Sequence, residues 1–139
     1  MNDSIVEMLQ NTPMWSSLTR QDLDLVVETS EQRKFESGQT IVSKDEPGTG
    51  FHLLLEGAAE VRAYGKTVSR LRPGQFFGEM SVLDKQPRPD DIVAVEPSRV
   101  LFLSTPSFET LVSTNPRIAL EMLQGFSRRL RIVDGWLSD

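Results

Sequence analysis

The residues best suited to chemistry lie in one segment, which reads Pro-Gly-Gln-Phe-Phe-Gly-Glu-Met-Ser over residues 73–81 and continues to Arg88. A glycine turn that opens a short helical turn brings several backbone N–H groups together and creates an anion site. Glu79 can accept hydrogen bonds from a diol, and the Arg88 guanidinium can hold a phosphate with two parallel hydrogen bonds. This combination predicts a site for a small sugar phosphate. An ion pair between Glu79 and Arg88 that braces a loop is the alternative, because buried charges need partners whatever their role.

The composition excludes several other chemistries. The chain of 139 residues has no cysteine and a single histidine, His52, so thiolate metal sites, disulfides and histidine clusters are excluded. We therefore predict no enzyme activity, no metal and no cofactor. His52 lies in an apolar strand, which indicates a hydrogen-bonded structural residue. The net charge of −5 opposes nucleic acid binding. With neither a secretion signal nor an apolar run of about 18 residues, we expect a cytoplasmic protein without a membrane segment.

Helical and β patterns divide the chain. A helix is predicted from Ser4 to Gln10, and Thr19, with Asp22 three residues later, predicts the capped start of a second helix. After Arg33, short apolar runs alternate with glycines, which is typical of a sandwich or barrel. The runs 51–56 and 58–63, separated by Gly57, are predicted to be neighbouring antiparallel strands. The fold class is therefore mainly β with flanking helices.

The last part of the chain is again helical. Thr105-Pro106 and Asn115-Pro116 each place a capping side chain before a proline. The final helix then carries apolar residues at alternating spacings of four and three. Such a stripe either packs on the β-structure of the same chain or forms a seam with a second copy, and strict alternation favours the seam. We predict a homodimer whose seam contains Leu123, Phe126, Leu130, Val133 and Leu137.

Several of these segments, in this order, resemble the cyclic-nucleotide-binding family, which includes the bacterial catabolite activator and the regulatory subunits of cyclic-AMP-dependent protein kinase. The matching segments are Gly38–Ile41, Pro47-Gly48, Leu53–Gly57, Pro73–Glu79, Pro87-Arg88 and Arg128–Arg131. The resemblance implies one domain over 1–139 with an eight-stranded β-roll. N-terminal helices would occupy 1–32, the β-roll 33–104 with a phosphate-binding cassette at 74–91, and C-terminal helices 105–139.

The same resemblance implies roles for residues of the cassette. Glu79 would bind the ribose 2′-hydroxyl, Arg88 would neutralise the cyclic phosphate, and the amides of Met80 and Ser81 would complete the phosphate site. The candidate ligand is cAMP or cGMP, or a related small anion. The candidate ligand-binding set is Gly78, Glu79, Met80, Ser81, Arg88, Pro89 and Asp90.

The residues after Arg88 depart from the family pattern, which has a small residue there. Pro89 has no N–H, so one phosphate hydrogen bond worth about 1.5–3 kcal/mol is lost. Asp90 and Asp91 add negative charge beside the anion. Neighbouring side chains of a strand point to opposite faces, so one aspartate can point away from the site. Two interpretations stay open: a solvated acidic turn, and a pocket altered or disabled for cyclic nucleotides.

These observations leave two leading functional hypotheses. The first is a sensor that binds a cyclic nucleotide and moves its last helix. The second is a degenerate domain of the same fold that binds no nucleotide and acts as a dimeric protein-interaction module. A DNA-binding activator is disfavoured, because the chain ends at Asp139 without a helix-turn-helix segment.

Overall fold

The computed structural model describes residues 3–46, 49–78 and 90–138, without the side chains of residues 129, 132–134 and 136–138. Four helices and eight strands lie in these residues. The helices are α1 (Asp3–Gln10), α2 (Arg20–Thr29), α3 (Thr105–Thr114) and α4 (Pro116–Ser138). The strands are β1 (Glu31–Phe35), β2 (Thr40–Val42), β3 (Gly50–Glu56), β4 (Ala59–Ala63), β5 (Lys66–Leu71), β6 (Phe76–Phe77), β7 (Asp90–Ala94) and β8 (Ser98–Ser104).

The strands form two antiparallel sheets of four strands each. The first has the order β1-β8-β3-β6, and the second has the order β2-β7-β4-β5. Both sheets contribute side chains to one apolar core, whose buried members are Leu54, Ala59, Phe77, Ile92 and Val100. The predicted eight-stranded β-roll with N-terminal helices and a long C-terminal helix is confirmed.

The prediction that β3 and β4 are neighbouring antiparallel strands is wrong. β3 pairs with β6 and β8, whereas β4 pairs with β5 and β7 in the other sheet. Gly57 lies between the two strands with a φ of +96°, and a Cβ there would be 2.2 Å from Ser98 Oγ and 2.5 Å from the Pro97 oxygen. Gly57 therefore lets the chain pass against the β7–β8 turn and cross from one sheet to the other, instead of forming a hairpin.

By its internal contacts the chain divides into a helical unit, Met1–Thr29 with Glu109–Asp139, and a β-roll unit, Ser30–Phe108. In the helical unit the predicted cap of α2 is present: Thr19 Oγ1 accepts a hydrogen bond from the Asp22 N–H at 3.2 Å and donates one to Asp22 Oδ2 at 2.9 Å. At the start of α3, Ser104 Oγ accepts a hydrogen bond from the Ser107 N–H at 3.2 Å. This cap lies one residue before the predicted Thr105.

Helix α4 buries a different face from the one that carries the predicted seam. Ile118 and Met122 are buried, and a Cβ at Gly125 would be 2.6 Å from the Pro13 carbonyl oxygen. Of the seam residues, Leu123 is 61% exposed, Leu130 is 68% exposed and Phe126 is half-buried. The side chains of Val133 and Leu137 lie outside the described residues. None of the described helices has both the length and the hydropathy needed to cross a membrane.

Candidate functional site

Gly78 is the described residue that begins the predicted ligand-binding set, and it follows directly on β6. Its φ is +88°, a conformation that side-chain-bearing residues rarely adopt. A Cβ at this position would be 2.7 Å from the Gly50 carbonyl oxygen and 3.2 Å from His52 Nδ1. Both the backbone conformation and the close approach to β3 therefore require glycine where the predicted ligand-binding set begins.

The turn before β6 is tied to β3 by backbone hydrogen bonds. The Gly74 N–H donates to the Leu54 oxygen at 2.8 Å, and the Leu54 N–H donates to the Gln75 oxygen at 3.0 Å. Gln75 closes the turn, because its Oε1 accepts from the Arg72 N–H at 2.7 Å. Gly74 has a φ of +93°, as the Pro-Gly pair predicts. Hydrogen bonds with β3 thus hold the turn and β6, the residues that lead to Gly78, in place.

His52 of β3 lies in the β-roll core and pairs with Phe77 of β6. It is 2% exposed and its ring stacks on Phe77, with centroids 5.0 Å apart and an interplanar angle of 10°. Burial, with a further contribution from the positive charge of Arg33, lowers the pKa of His52 from 6.5 to about 4. A backbone hydrogen bond with Gly50 acts in the opposite direction and is outweighed. The structural role predicted for His52 agrees with its burial.

The two aspartates at the start of β7 lie on opposite faces of their sheet. Asp90 is opposite Ala63 and Ile92 is opposite Val61 in the register with β4. Because side chains two residues apart share a face, Asp90 lies on the inner face with the core residue Ile92. Asp91 lies on the outer face, and its Oδ1 accepts a hydrogen bond from the Lys44 N–H at 2.8 Å. One carboxylate is therefore directed away from the interior of the β-roll.

Residues 32–115 match the sequence profile of the cyclic nucleotide-binding domain. The chain belongs to this family. It is 30% identical over 121 residues to a protein of Rhodopseudomonas palustris named as a potassium channel protein, covering 84% of this chain and 29% of that protein. It is 29% identical over 133 residues to the cyclic AMP receptor protein of Thermus thermophilus, covering 91% of this chain and 61% of that protein. The chain thus spans less than two thirds of each of these relatives.

A solved structure shows the same fold as this cyclic nucleotide-binding domain. It is the N-terminal domain of a transcriptional regulator from Streptomyces coelicolor, with a TM-score of 0.84 and 20% sequence identity. The match covers 92% of this chain and 95% of that one. The resemblance predicted from the sequence motifs is therefore confirmed at the level of family and fold.

Much of the predicted site of this cyclic nucleotide-binding domain lies outside the described residues. Glu79, Met80, Ser81, Arg88 and Pro89 belong to residues 79–89, which join β6 in one sheet to β7 in the other along the chain. Their roles stay predictions. Among the described residues no group of three His, Asp or Glu side chains could hold a metal ion.

The contacts of β3 with Gly78 were not predicted from the sequence. They join residues far apart in the chain, and the available signal was a second glycine, Gly50, beside the apolar run of β3. Gly50 is crowded as well, since a Cβ there would be 2.4 Å from the Leu103 oxygen. The backbone of β3 thus packs closely against Gly78, and both contacting positions, Gly50 and Gly78, are glycines.

A depression of about 650 Å³ lies at the other end of β3, lined by Lys34, Phe35, Glu36, Gln39, Glu56, Pro97, Ser98 and Arg99. Arg99 binds Glu56 at 2.6 Å and also contacts Gln32. Its guanidinium is thus already engaged by protein groups of the chain itself.

Proposed function

We propose that this chain is a non-catalytic regulatory module that binds a cyclic nucleotide, cAMP or cGMP, through residues 78–90 and thereby moves helix α4. The observation that carries the proposal is Gly78, whose φ of +88° and contact with β3 admit no side chain where the predicted ligand-binding set begins. Membership of the cyclic nucleotide-binding domain family supports the ligand class. The Thermus relative is named a cyclic AMP receptor protein, which makes cAMP the first ligand to test.

In this proposal each predicted residue has one task. Glu79 accepts a hydrogen bond from the ribose 2′-hydroxyl, Arg88 pairs with the cyclic phosphate, and the amides of Met80 and Ser81 bind phosphate oxygens. A charge-assisted pair of this kind contributes about 1.5–3 kcal/mol. The ligand moves α4 only as far as it binds one helix position more tightly than the other.

A second candidate function is supported by Asp90, which lies on the inner face of the β-roll opposite Ala63. A carboxylate on this face, next to a proline without an N–H, opposes an anionic ligand. In this alternative the domain binds no nucleotide and acts as a dimeric protein-interaction module.

Both functions include a homodimer formed through α4. Leu120, Leu123 and Leu130 are 63%, 61% and 68% exposed in the single chain. Three large apolar side chains on one helix support a partner helix, because single chains rarely expose such a stripe. The absence of a DNA-binding module stays a prediction, because the Thermus receptor protein is longer than the matched region.

Isothermal titration with cAMP and with cGMP tests the proposal. We expect micromolar binding of one nucleotide by the wild-type chain and a loss of at least tenfold in Arg88→Ala, since one charge-assisted pair is removed. Lys34→Ala is the matched control, because Lys34 is an exposed cation of β1 and its removal changes the net charge equally. Equal weakening by both substitutions would point to a general charge effect.

Absence of heat with either nucleotide up to millimolar concentration would exclude the sensor and favour the interaction module. Asp90→Ala then separates two causes of that result. Binding gained by this variant would show that the carboxylate disables an otherwise competent site. Continued absence of binding would show that the cassette itself has lost the function.

A further inference from the structure

The hairpin of β4 and β5 ends in a turn that its own sequence does not favour. Ala63 pairs with Lys66, so Tyr64 and Gly65 form a two-residue turn, with φ values of 54° and 76°. Such turns strongly favour Asn-Gly, because asparagine tolerates positive φ far better than an aromatic residue does. A tyrosine in this conformation is strained. The requirements of the turn therefore do not explain why residue 64 is a tyrosine.

Packing does not explain Tyr64 either. Tyr64 is 86% exposed, so the fold gains almost nothing from its apolar surface. A strained residue whose side chain is left in solvent suggests that the side chain is used outside the fold.

Val68 is a second exposed apolar residue of the same hairpin. Val61 pairs with Ser69 and Arg62 pairs with Thr67, so Val68 is the extra residue of a β-bulge in β5. It is 62% exposed. Bulges redirect side chains, and at a sheet edge they also interrupt the backbone that another strand would pair with. A contact here is therefore made by side chains more than by strand addition.

The hairpin is basic although the whole chain is acidic. Residues 59–71 contain Arg62, Lys66 and Arg70 against a single acid, Glu60, which gives them +2. Because the whole chain carries −5, the remaining residues carry −7. Glu60 is engaged within the hairpin, where its carboxylate accepts from Arg62 and Thr67 at 3.1 Å and lies 3.3 Å from Arg70. The hairpin thus carries an excess of positive charge, which Asp91 of the adjoining strand β7, opposite Arg62, reduces in part.

We propose that the β4–β5 hairpin is a docking surface for an acidic segment of another protein, with Tyr64 and Val68 as apolar anchors and the surrounding Arg and Lys side chains as charge partners. Tyrosine and arginine are enriched among the residues that dominate binding energy at protein interfaces. Charge complementarity identifies the partner as acidic, and the exposed valine favours a protein over a nucleic acid. This proposal does not rest on nucleotide binding by residues 78–90.

The test is a titration of the isotope-labelled full chain, followed by NMR, with a synthetic peptide of alternating Glu and Leu. The same peptide with Lys in place of Glu and a single-stranded DNA oligonucleotide serve as comparison ligands. We expect amide shifts confined to residues 59–72 with the acidic peptide alone, and weaker binding as salt is raised. No shift with the acidic peptide, equal shifts with the lysine peptide, or stronger binding of the DNA would each overturn the proposal.

Tyr64→Asn separates binding from folding. Asparagine suits the turn, so the variant should keep or raise the melting temperature while binding the acidic peptide at least about tenfold more weakly. Lys66→Glu should weaken binding, whereas Lys34→Glu, with the same charge change on β1, should not. A fall in melting temperature in Tyr64→Asn, or unchanged affinity, would contradict the proposed role of the ring.

Discussion

At the scale of single residues, His52 links the interior of the β-roll to the start of the candidate site. Its ring is stacked on Phe77, and its Nδ1 lies 3.2 Å from where a Cβ of Gly78 would be. The guanidinium of Arg33 lies over the Phe102 ring, 3.9 Å from its centroid, and Phe102 in turn contacts His52. Both burial and the nearby positive charge of Arg33 therefore oppose protonation of His52.

The stability of the protein should reflect this burial as the pH falls. The pKa of His52 is about 4 in the fold against 6.5 ordinarily. The unfolded chain therefore binds the proton first, and the contribution of the neutral ring is lost as the pH falls from 6.5 towards 4. Relative to His52→Gln, the wild-type free energy of unfolding should drop by about 2 kcal/mol between pH 7.5 and 5, and by about 3 kcal/mol at pH 4.

Urea unfolding of both proteins across this range measures the difference directly. Carboxylates titrate equally in the two chains and cancel. A difference that stays constant from pH 7.5 to 4 would show that His52 is not held neutral by the fold.

At the scale of elements, one ion pair joins α2 to α4 within the helical unit. Arg117 donates to both carboxylate oxygens of Asp22, at 2.8 and 2.9 Å. Burial opposes ionisation of Asp22, but hydrogen bonds from Thr19 and Arg117 outweigh it and hold its pKa below the usual value. Burial, and then Asp22, raise the pKa of the neighbouring Glu121. Asp22 stabilises the fold above its ordinary pKa of 3.8, and this contribution is lost as the pH falls below that value.

We expect Arg117→Met to destabilise the protein by about 1–2 kcal/mol, because it leaves the buried Asp22 carboxylate without its cation. The value is below that of a fully buried pair since the Arg117 side chain is 59% exposed. Urea unfolding of Arg117→Met, Asp22→Asn and the double variant gives the coupling energy, expected at about 1 kcal/mol.

Arg20→Met is the matched control for this cycle. Arg20 pairs with Asp3 and Asp24, but all three side chains are more than two-fifths exposed. Its loss should change the free energy of unfolding by no more than about 0.5 kcal/mol. If Arg117→Met costs no more than this control, the pair does not hold α2 to α4.

The elements also show which parts of the fold the sequence could predict. The Thr19–Asp22 cap and the turn at Gly74 depend on neighbouring residues, and both were predicted. Strand partners depend on residues far apart, so the crossing at Gly57 was mistaken for a hairpin. Helical spacing defined a stripe on α4 but did not show which residues of the helix are buried: these are Ile118 and Met122, beside the stripe. Of the site, the glycine at 78 and the family were predictable, whereas its support by His52 required the fold.

At the scale of the whole molecule, the described residues include two groups of apolar side chains that are more than three-fifths exposed, and the two groups differ in character. The β4–β5 hairpin is basic with two apolar anchors, while α4 presents Leu120, Leu123 and Leu130. An apolar helix stripe suits a second copy of itself, because an isologous contact brings the same leucines together from both sides. A basic hairpin does not suit itself, because like charges would meet.

Self-association should therefore depend on α4 and not on the hairpin. We expect the wild-type chain to sediment as a dimer across the micromolar range and Leu123→Lys to sediment as a monomer, since a charge at the seam must be desolvated on association. Gln124→Lys adds the same charge at the neighbouring exposed position and should leave the dimer intact, as should Tyr64→Asn. A dimer that survives Leu123→Lys but is lost in Tyr64→Asn would show that the hairpin, and not α4, forms the dimer contact. A wild-type monomer at every concentration would show that the leucines of α4 serve a different partner.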